Sequence, residues 1–267
     1  MSASVAFDKA RGQGRAALVG YLPAGFPTVE GGLDAVRVLA ESGVDVVEIG
    51  FPYSDPVMDG PVIQRASEIA LDGGVRPADV LRTVQAVAET GVPALVMTYW
   101  NLIERYGVEA FGRDLAAAGG VGLIMPDLIP EEADPWLAAS DAHGLDRVFL
   151  VAPSSTDARI ASTVAACRGF VYAASVMGVT GARDATSTGA PALVARVKAV
   201  AGDLPVGVGL GVRDGAQAAE VGAYADGVIV GSALVHCLLD ADSPSAGLTA
   251  LRELTTDLAA GVRRARA

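Results

Sequence analysis

The 267-residue sequence has a formal net charge of −11, with 51% of its residues apolar and 19% charged, a composition that excludes disordered and fibrous classes. The acidic balance also excludes a nucleic-acid-binding surface, because that role needs a basic face to displace counterions from phosphates. A small anionic ligand would have to be held by local donors against a repelling field.

The N-terminal stretch MSASVAFDKARGQGRA has no apolar core of signal-peptide length, and no later stretch approaches an uninterrupted membrane span. A cytoplasmic protein with no membrane attachment is expected. Short β-branched or apolar runs then recur: ALVGYL (17–22), VDVVEIG (44–50), PALVMTY (93–99), VGLIMP (121–126), RVFLVA (147–152), GFVYAA (169–174), LPVGVGL (204–210) and DGVIVG (226–231). Segments with helical spacing lie between them. Leu33, Val36 and Ala40 share one face, as do Val80, Val84 and Val87. Pro77 suits a first helical turn, and Gly43 and Gly91 suit helix stops. Cys167 and Cys237 lie far apart, without CxxC or Cys/His spacing, and are expected as buried reduced thiols.

Eight continuous apolar strands alternating with helices predict an α/β fold with a parallel sheet. The count points to a (β/α)8 TIM barrel, read as one domain over residues 1–267; an open doubly wound sheet is the alternative. Most strand-to-strand repeats take roughly 21–28 residues, but the second takes about 49 and the sixth about 35, against a typical unit of about 30. The first surplus holds a Pro- and Gly-punctuated loop and an extra helical segment near 61–72. The second is the irregular stretch SVMGVTGARDATST (175–188). In a barrel both long loops fall at the C-terminal face, where active sites are built.

Glu48 interrupts the apolar run of the second strand. Alternation from Val46 turns it into the barrel if Val47 and Ile49 face the helices. Apolar surroundings would raise its pKa and suit it to general acid chemistry; the alternative is a buried Glu tied to an arginine. Asp55 and Asp59 follow in the loop, where Asp beside Pro and Gly is also ordinary turn chemistry.

Three glycine turns, GVTG (178–181), GLG (209–211) and GSA (231–233), follow strands 6, 7 and 8, the last two each expected to open a helix. Together they suit a phosphate held by backbone N–H groups. Lys9 and Lys198 do not lie on strand ends, which argues against a Schiff base. His143 and His236 lie far apart in helical contexts, which argues against a histidine metal site. Carboxylate acid–base chemistry on a phosphorylated small molecule remains.

VEIGFPYSDPVMDGPVIQ (47–64) closely resembles the signature of the tryptophan synthase alpha subunit family. YLPAGFPT, MTYWN, PDLIPEE and the glycine turns extend the similarity along essentially the whole chain. The resemblance implies a (β/α)8 barrel that cleaves indole-3-glycerol phosphate to indole and glyceraldehyde 3-phosphate by a retro-aldol reaction. It implies no metal or cofactor in this chain. A pyridoxal-phosphate-dependent beta subunit is the implied partner, in an alpha2beta2 complex.

By the same resemblance Glu48 is the general acid–base and Asp59 the carboxylate that interacts with the indole nitrogen, leaving Asp55 to hold the loop. Tyr172 matches an active-site tyrosine and Tyr21 an indole-pocket position that is often Phe. Thr180 matches the threonine of a mobile lid, and Gly181, Gly211, Gly231 and Ser232 match the phosphate-binding turns. Two positions depart from many members: Leu210, where an aromatic stands between the glycines, and Val176, where the lid has Arg. They leave open a catalytically weak barrel that serves mainly to bind and activate the beta subunit. Another phosphate-binding barrel, an isomerase or an indole-glycerol-phosphate synthase, is the third reading; the synthase would need strand-end lysines.

Overall fold

A computed structural model describes residues 2–174 and 189–265. The first half runs α1 (Ala3–Gly12), β1 (Ala17–Pro23), α2 (Val29–Glu41), β2 (Val46–Gly50), α3 (Pro61–Asp72), α4 (Pro77–Ala88), β3 (Ala94–Met97), α5 (Trp100–Tyr106), α6 (Val108–Ala117) and β4 (Gly122–Met125). A 3-10 turn (Pro130–Glu132) leads to α7 (Asp134–His143), β5 (Asp146–Val151), α8 (Asp157–Ala166) and β6 (Val171–Ala174). The chain closes with α9 (Ala190–Ala201), β7 (Val206–Gly209), α10 (Gly215–Gly222), β8 (Gly227–Val230), α11 (Ser232–Leu239) and α12 (Pro244–Arg264).

The strands pair in parallel, each with the next, and β8 returns to β1 to close the barrel. The open-sheet alternative is thereby excluded. Period-two alternation sorts the side chains: Val19, Val46, Leu95 and Val148 point into the barrel, whereas Val47, Ile49, Val96 and Phe149 pack under the helices. The extra helical segment after strand 2 is α3, which starts at Pro61. Pro77 opens α4. Gly43 follows α2 at φ +107 and Gly91 follows α4 at φ +82, a region of backbone space that favours glycine.

Helix α1 was not expected, yet Ala3, Ala6, Phe7 and Ala10 are buried at i, i+3, i+4 and i+7 spacing. They belong to the same cluster as the barrel interior. Phe7 approaches Gly227 at the start of β8, and Asp146 at the start of β5 accepts the Ala3 N–H at 2.7 Å. Helix α1 therefore closes the N-terminal end of the barrel. Among the described residues no helix is long and apolar enough to cross a membrane.

Two expectations need correction. The GLG turn does not open a helix: α10 starts at Gly215, where the Asp214 carboxylate caps the Gln217 N–H at 2.8 Å. Cys167 and Cys237 are unpaired thiols but only part-buried, Cys167 because it stands at the C-cap of α8 and Cys237 because it lies in the last turn of α11, where the side chains from His236 to Leu239 are all only part-buried. The long segment 175–188, with Val176, Thr180 and Gly181, lies outside the described residues.

Candidate active site

Strand β2 carries its one charged side chain on the face that the alternation predicts. Glu48 is 1% exposed, in register with Tyr21 of β1 and Leu95 of β3. Its Oε2 has no hydrogen-bond partner, and among the described residues no arginine or lysine pairs with it. The buried Arg15 is committed to Asp45 at 2.6 Å near the opposite end of that strand. Among the described residues, then, nothing ties the glutamate to an arginine. Burial, with the charge of Asp59 second, pushes the Glu48 carboxyl up to about 8.

The loop after β2 folds back over the barrel mouth and delivers Asp59 there. Gln64 of α3 donates to the Asp59 carbonyl at 2.9 Å, and the Asp59 N–H closes a turn on Pro56 at 3.1 Å. The Asp59 carboxylate accepts a hydrogen bond from the Tyr99 phenol. That phenol also accepts the Met58 N–H at 2.9 Å, so one hydroxyl fixes both loop and carboxylate. Tyr99 leans on Tyr53 at 5.1 Å between ring centres, and Tyr53 accepts from Asn101 at 3.0 Å. Partial burial raises Asp59 to about 6, with the Tyr99 hydrogen bond opposing the rise. Asp55, by contrast, is exposed. It accepts the Ser54 hydroxyl at 2.6 Å, and its carbonyl accepts the Val57 N–H at 2.9 Å.

Two buried phenols complete the wall. Burial pushes Tyr172 far above the ordinary phenol range, and the charges of Glu48 and Asp59 push it further. The same three causes act on Tyr21, with Asp59 ahead of Glu48. Both rings stand over strand glycines. A Cβ at Gly209 would come within 2.5 Å of the Tyr172 hydroxyl, and one at Gly50 would collide with the Tyr21 hydroxyl. Gly209, read from sequence as part of an anion turn, is thus also the space into which Tyr172 fits.

Gly211 has φ +71, and Gly231 is the N-cap of α11, whose first residue is the buried Ser232. A helix start leaves N–H groups without intrahelical acceptors and favours an anion. Leu210 is buried, so an aliphatic side chain fills the position between the two glycines. The described residues thus bring together Tyr21, Glu48, Asp59, Tyr172 and the glycine turns after β7 and β8, and add Tyr99. The only sequence signal for Tyr99 is its place in MTYWN, just beyond β3.

The family profile described as "Tryptophan synthase alpha chain" matches residues 7–263. The chain belongs to that family. A tryptophan synthase alpha chain from Salinispora arenicola is 70% identical over 259 residues, covering 97% of each chain. One from Mycobacterium marinum is 67% identical over 258 residues, 97% of this chain and 93% of its own length. Among solved structures, one of Mycobacterium tuberculosis tryptophan synthase superposes with a TM-score of 0.92 at 62% identity, covering 98% of both chains. A tryptophan synthase subunit alpha from Legionella pneumophila gives 0.88 at 32% identity, again covering 98% of each chain. Membership in the tryptophan synthase alpha chain family makes this barrel a lyase of tryptophan biosynthesis, as the resemblance implied.

Proposed function

We propose that Glu48 and Asp59 divide the work of cleaving indole-3-glycerol phosphate to indole and glyceraldehyde 3-phosphate. The observation that carries this is a split between two neighbouring carboxyls: Glu48, fully buried and without a partner at Oε2, keeps its proton to about pH 8, whereas Asp59 releases its own near 6. Two acids whose surroundings separate their pKa values can hold opposite protonation states at neutral pH. Glu48 gives its proton to indole C3, and the ring nitrogen takes on positive charge. The Asp59 carboxylate stabilises that charge from a fixed position. The Glu48 carboxylate so formed accepts the proton of the adjacent side-chain hydroxyl. That oxygen becomes the aldehyde as the C–C bond breaks, and the bonding pair returns to the ring. The proton count on Glu48 closes, with no imine or metal.

Tyr21 and Tyr172 wall the indole site. The N–H groups of Gly211, Gly231 and Ser232 hold the phosphate, with Gly181 joining them by resemblance and Thr180 serving, by the same resemblance, as the threonine of the lid. The chain works as one cytoplasmic domain without a cofactor of its own. Its partner is a beta subunit that carries pyridoxal phosphate in an alpha2beta2 complex and receives the indole. The test is indole release by wild type and Glu48→Gln, with and without beta subunit. Comparable turnover by both would remove Glu48 from the chemistry, and full activation of the partner without any lyase activity would favour the weak-barrel reading.

A further inference from the structure

The inner wall below the carboxylates holds a feature that the proposed chemistry does not use. Phe7, on α1, stacks on Phe170 with ring centres 5.0 Å apart and planes 29° apart. Phe170 in turn lies 6.4 Å from Tyr172 at 32°. All three are buried, at 1%, 0% and 9% exposure, in one interior cluster. The strands beside them carry glycines where other strands carry aliphatic side chains. A Cβ at Gly227 would come within 2.5 Å of Phe7, and one at Gly207 within 3.1 Å of Phe170. With Tyr172 over Gly209, the three rings form one column from the floor of the barrel to its mouth.

The base of the column is tethered. Asp146 is 1% exposed and accepts the Ala3 N–H at 2.7 Å and the Ser2 hydroxyl at 2.9 Å to each oxygen, which fixes the first turn of α1 against β5. A carboxylate at a helix N-terminus also complements the helix dipole. Close-packed interiors transmit displacement because no void absorbs it. A shift of α1 therefore moves Phe7, then Phe170, then the tyrosine ring beside Glu48.

We propose that Phe7 and Phe170 are positioning residues that set the height and tilt of the Tyr172 ring at the mouth, with Asp146 as their anchor. The proposal rests on the lyase reading only for its activity readout. Neither phenylalanine touches the reacting atoms; both act through Tyr172.

The test uses the full chain labelled with 3-fluorotyrosine. The six tyrosines give separate 19F resonances, and Tyr172→Phe identifies the one that matters. Phe170→Leu and Phe7→Leu are each expected to move the Tyr172 resonance more than any other. Each is also expected to lower kcat for indole release about tenfold while KM changes far less, the cost of a small misplacement near the chemistry. Phe170→Met, which refills the space with a pliable side chain, should restore part of the loss. Leu258→Ala in α12 weakens the outer packing and should leave kcat and the Tyr172 resonance unchanged. An unmoved Tyr172 resonance in folded Phe170→Leu overturns the proposal, as does a moved resonance with wild-type kcat. Should Phe170→Leu not fold, Phe7→Leu and Phe170→Met decide by the same two criteria. If wild type shows no lyase activity, the lyase reading falls and the resonance alone decides the column.

Discussion

The two ends of this barrel are built on the same strands, two residues apart. On β2 Val46 lies below and Glu48 above; on β1 Val19 lies below Tyr21; inner-face Phe170 lies just ahead of β6 and Tyr172 within it. The lower level is lined by apolar side chains and closed by α1, while the upper level sets one further carboxyl and three phenols around an acid without a partner at Oε2. A single step of the strand period therefore separates residues whose burial stabilises the fold from residues whose burial works against it. Apolar burial contributes stability in proportion to area removed from water, whereas a buried carboxyl is held away from the ionised state it would take in water. The same low-polarity interior has opposite value at the two levels.

The contrast can be broken from either end. Its largest expected effect is on activity: Glu48→Gln should reduce indole release by about 10³-fold, within the range for loss of a positioned general acid, measured at saturating substrate. Two residues lower, Val46→Ala should do the reverse. It should cost roughly 2–3 kcal/mol of unfolding free energy for a fully buried aliphatic truncation, read from the denaturant midpoint, while kcat of the folded protein stays within about threefold.

Glu48→Gln should also stabilise the protein in alkali. The folded-state pKa of Glu48 stands above the unfolded value, so folding holds a proton that the unfolded chain releases. Stability is fully present below about pH 4.5 and is lost as pH rises through the folded value of about 8. At pH 9 that loss is on the order of 4 kcal/mol, and burying an amide without partners returns about 2 of it. Glu48→Gln should therefore be about 2 kcal/mol more stable than wild type at pH 9 and no more stable at pH 4; equal stabilities at pH 9 would contradict the raised pKa.

The smallest effect concerns the pH profile. Lyase activity needs Asp59 ionised and Glu48 protonated, so it should rise with an apparent pKa near 6 and fall with one near 8. Tyr99→Phe removes the hydrogen bond that opposes the rise at Asp59. It should move the acidic limb upward by about half a unit and leave the alkaline limb in place. Movement of both limbs together would show that the two carboxyls are not separately tuned.

The lower level and the placement of Glu48 were largely legible in the sequence because both follow from period-two alternation within uninterrupted apolar runs. All eight runs became strands, with ends shifted by a few residues. Asp59 could be located in the loop but not in space, because its position depends on Tyr99, 40 residues later in the chain, and on Gln64 in the following helix. Helix α1 leaves little trace in the sequence because three of its four buried residues are alanines, which mark an apolar face weakly. Gly209 carried a double meaning that spacing alone cannot separate: glycine beside a turn suggests an anion cradle, whereas glycine on an inner strand face leaves room for an aromatic ring.

That inner-face run of glycines has a consequence for anyone who would exchange parts between barrels. The β7–β8 quadrant is lined at Gly207, Gly209 and Gly227 by bare backbone, and its volume is filled by rings borne on α1 beneath it, on the approach to the neighbouring strand β6 and on β6 itself. Grafting in two strands of ordinary valine and isoleucine alternation would match every hydrogen bond of the sheet and still evict the rings. In this molecule the staves are not interchangeable around the circumference, although each obeys the same rule of twist and pairing.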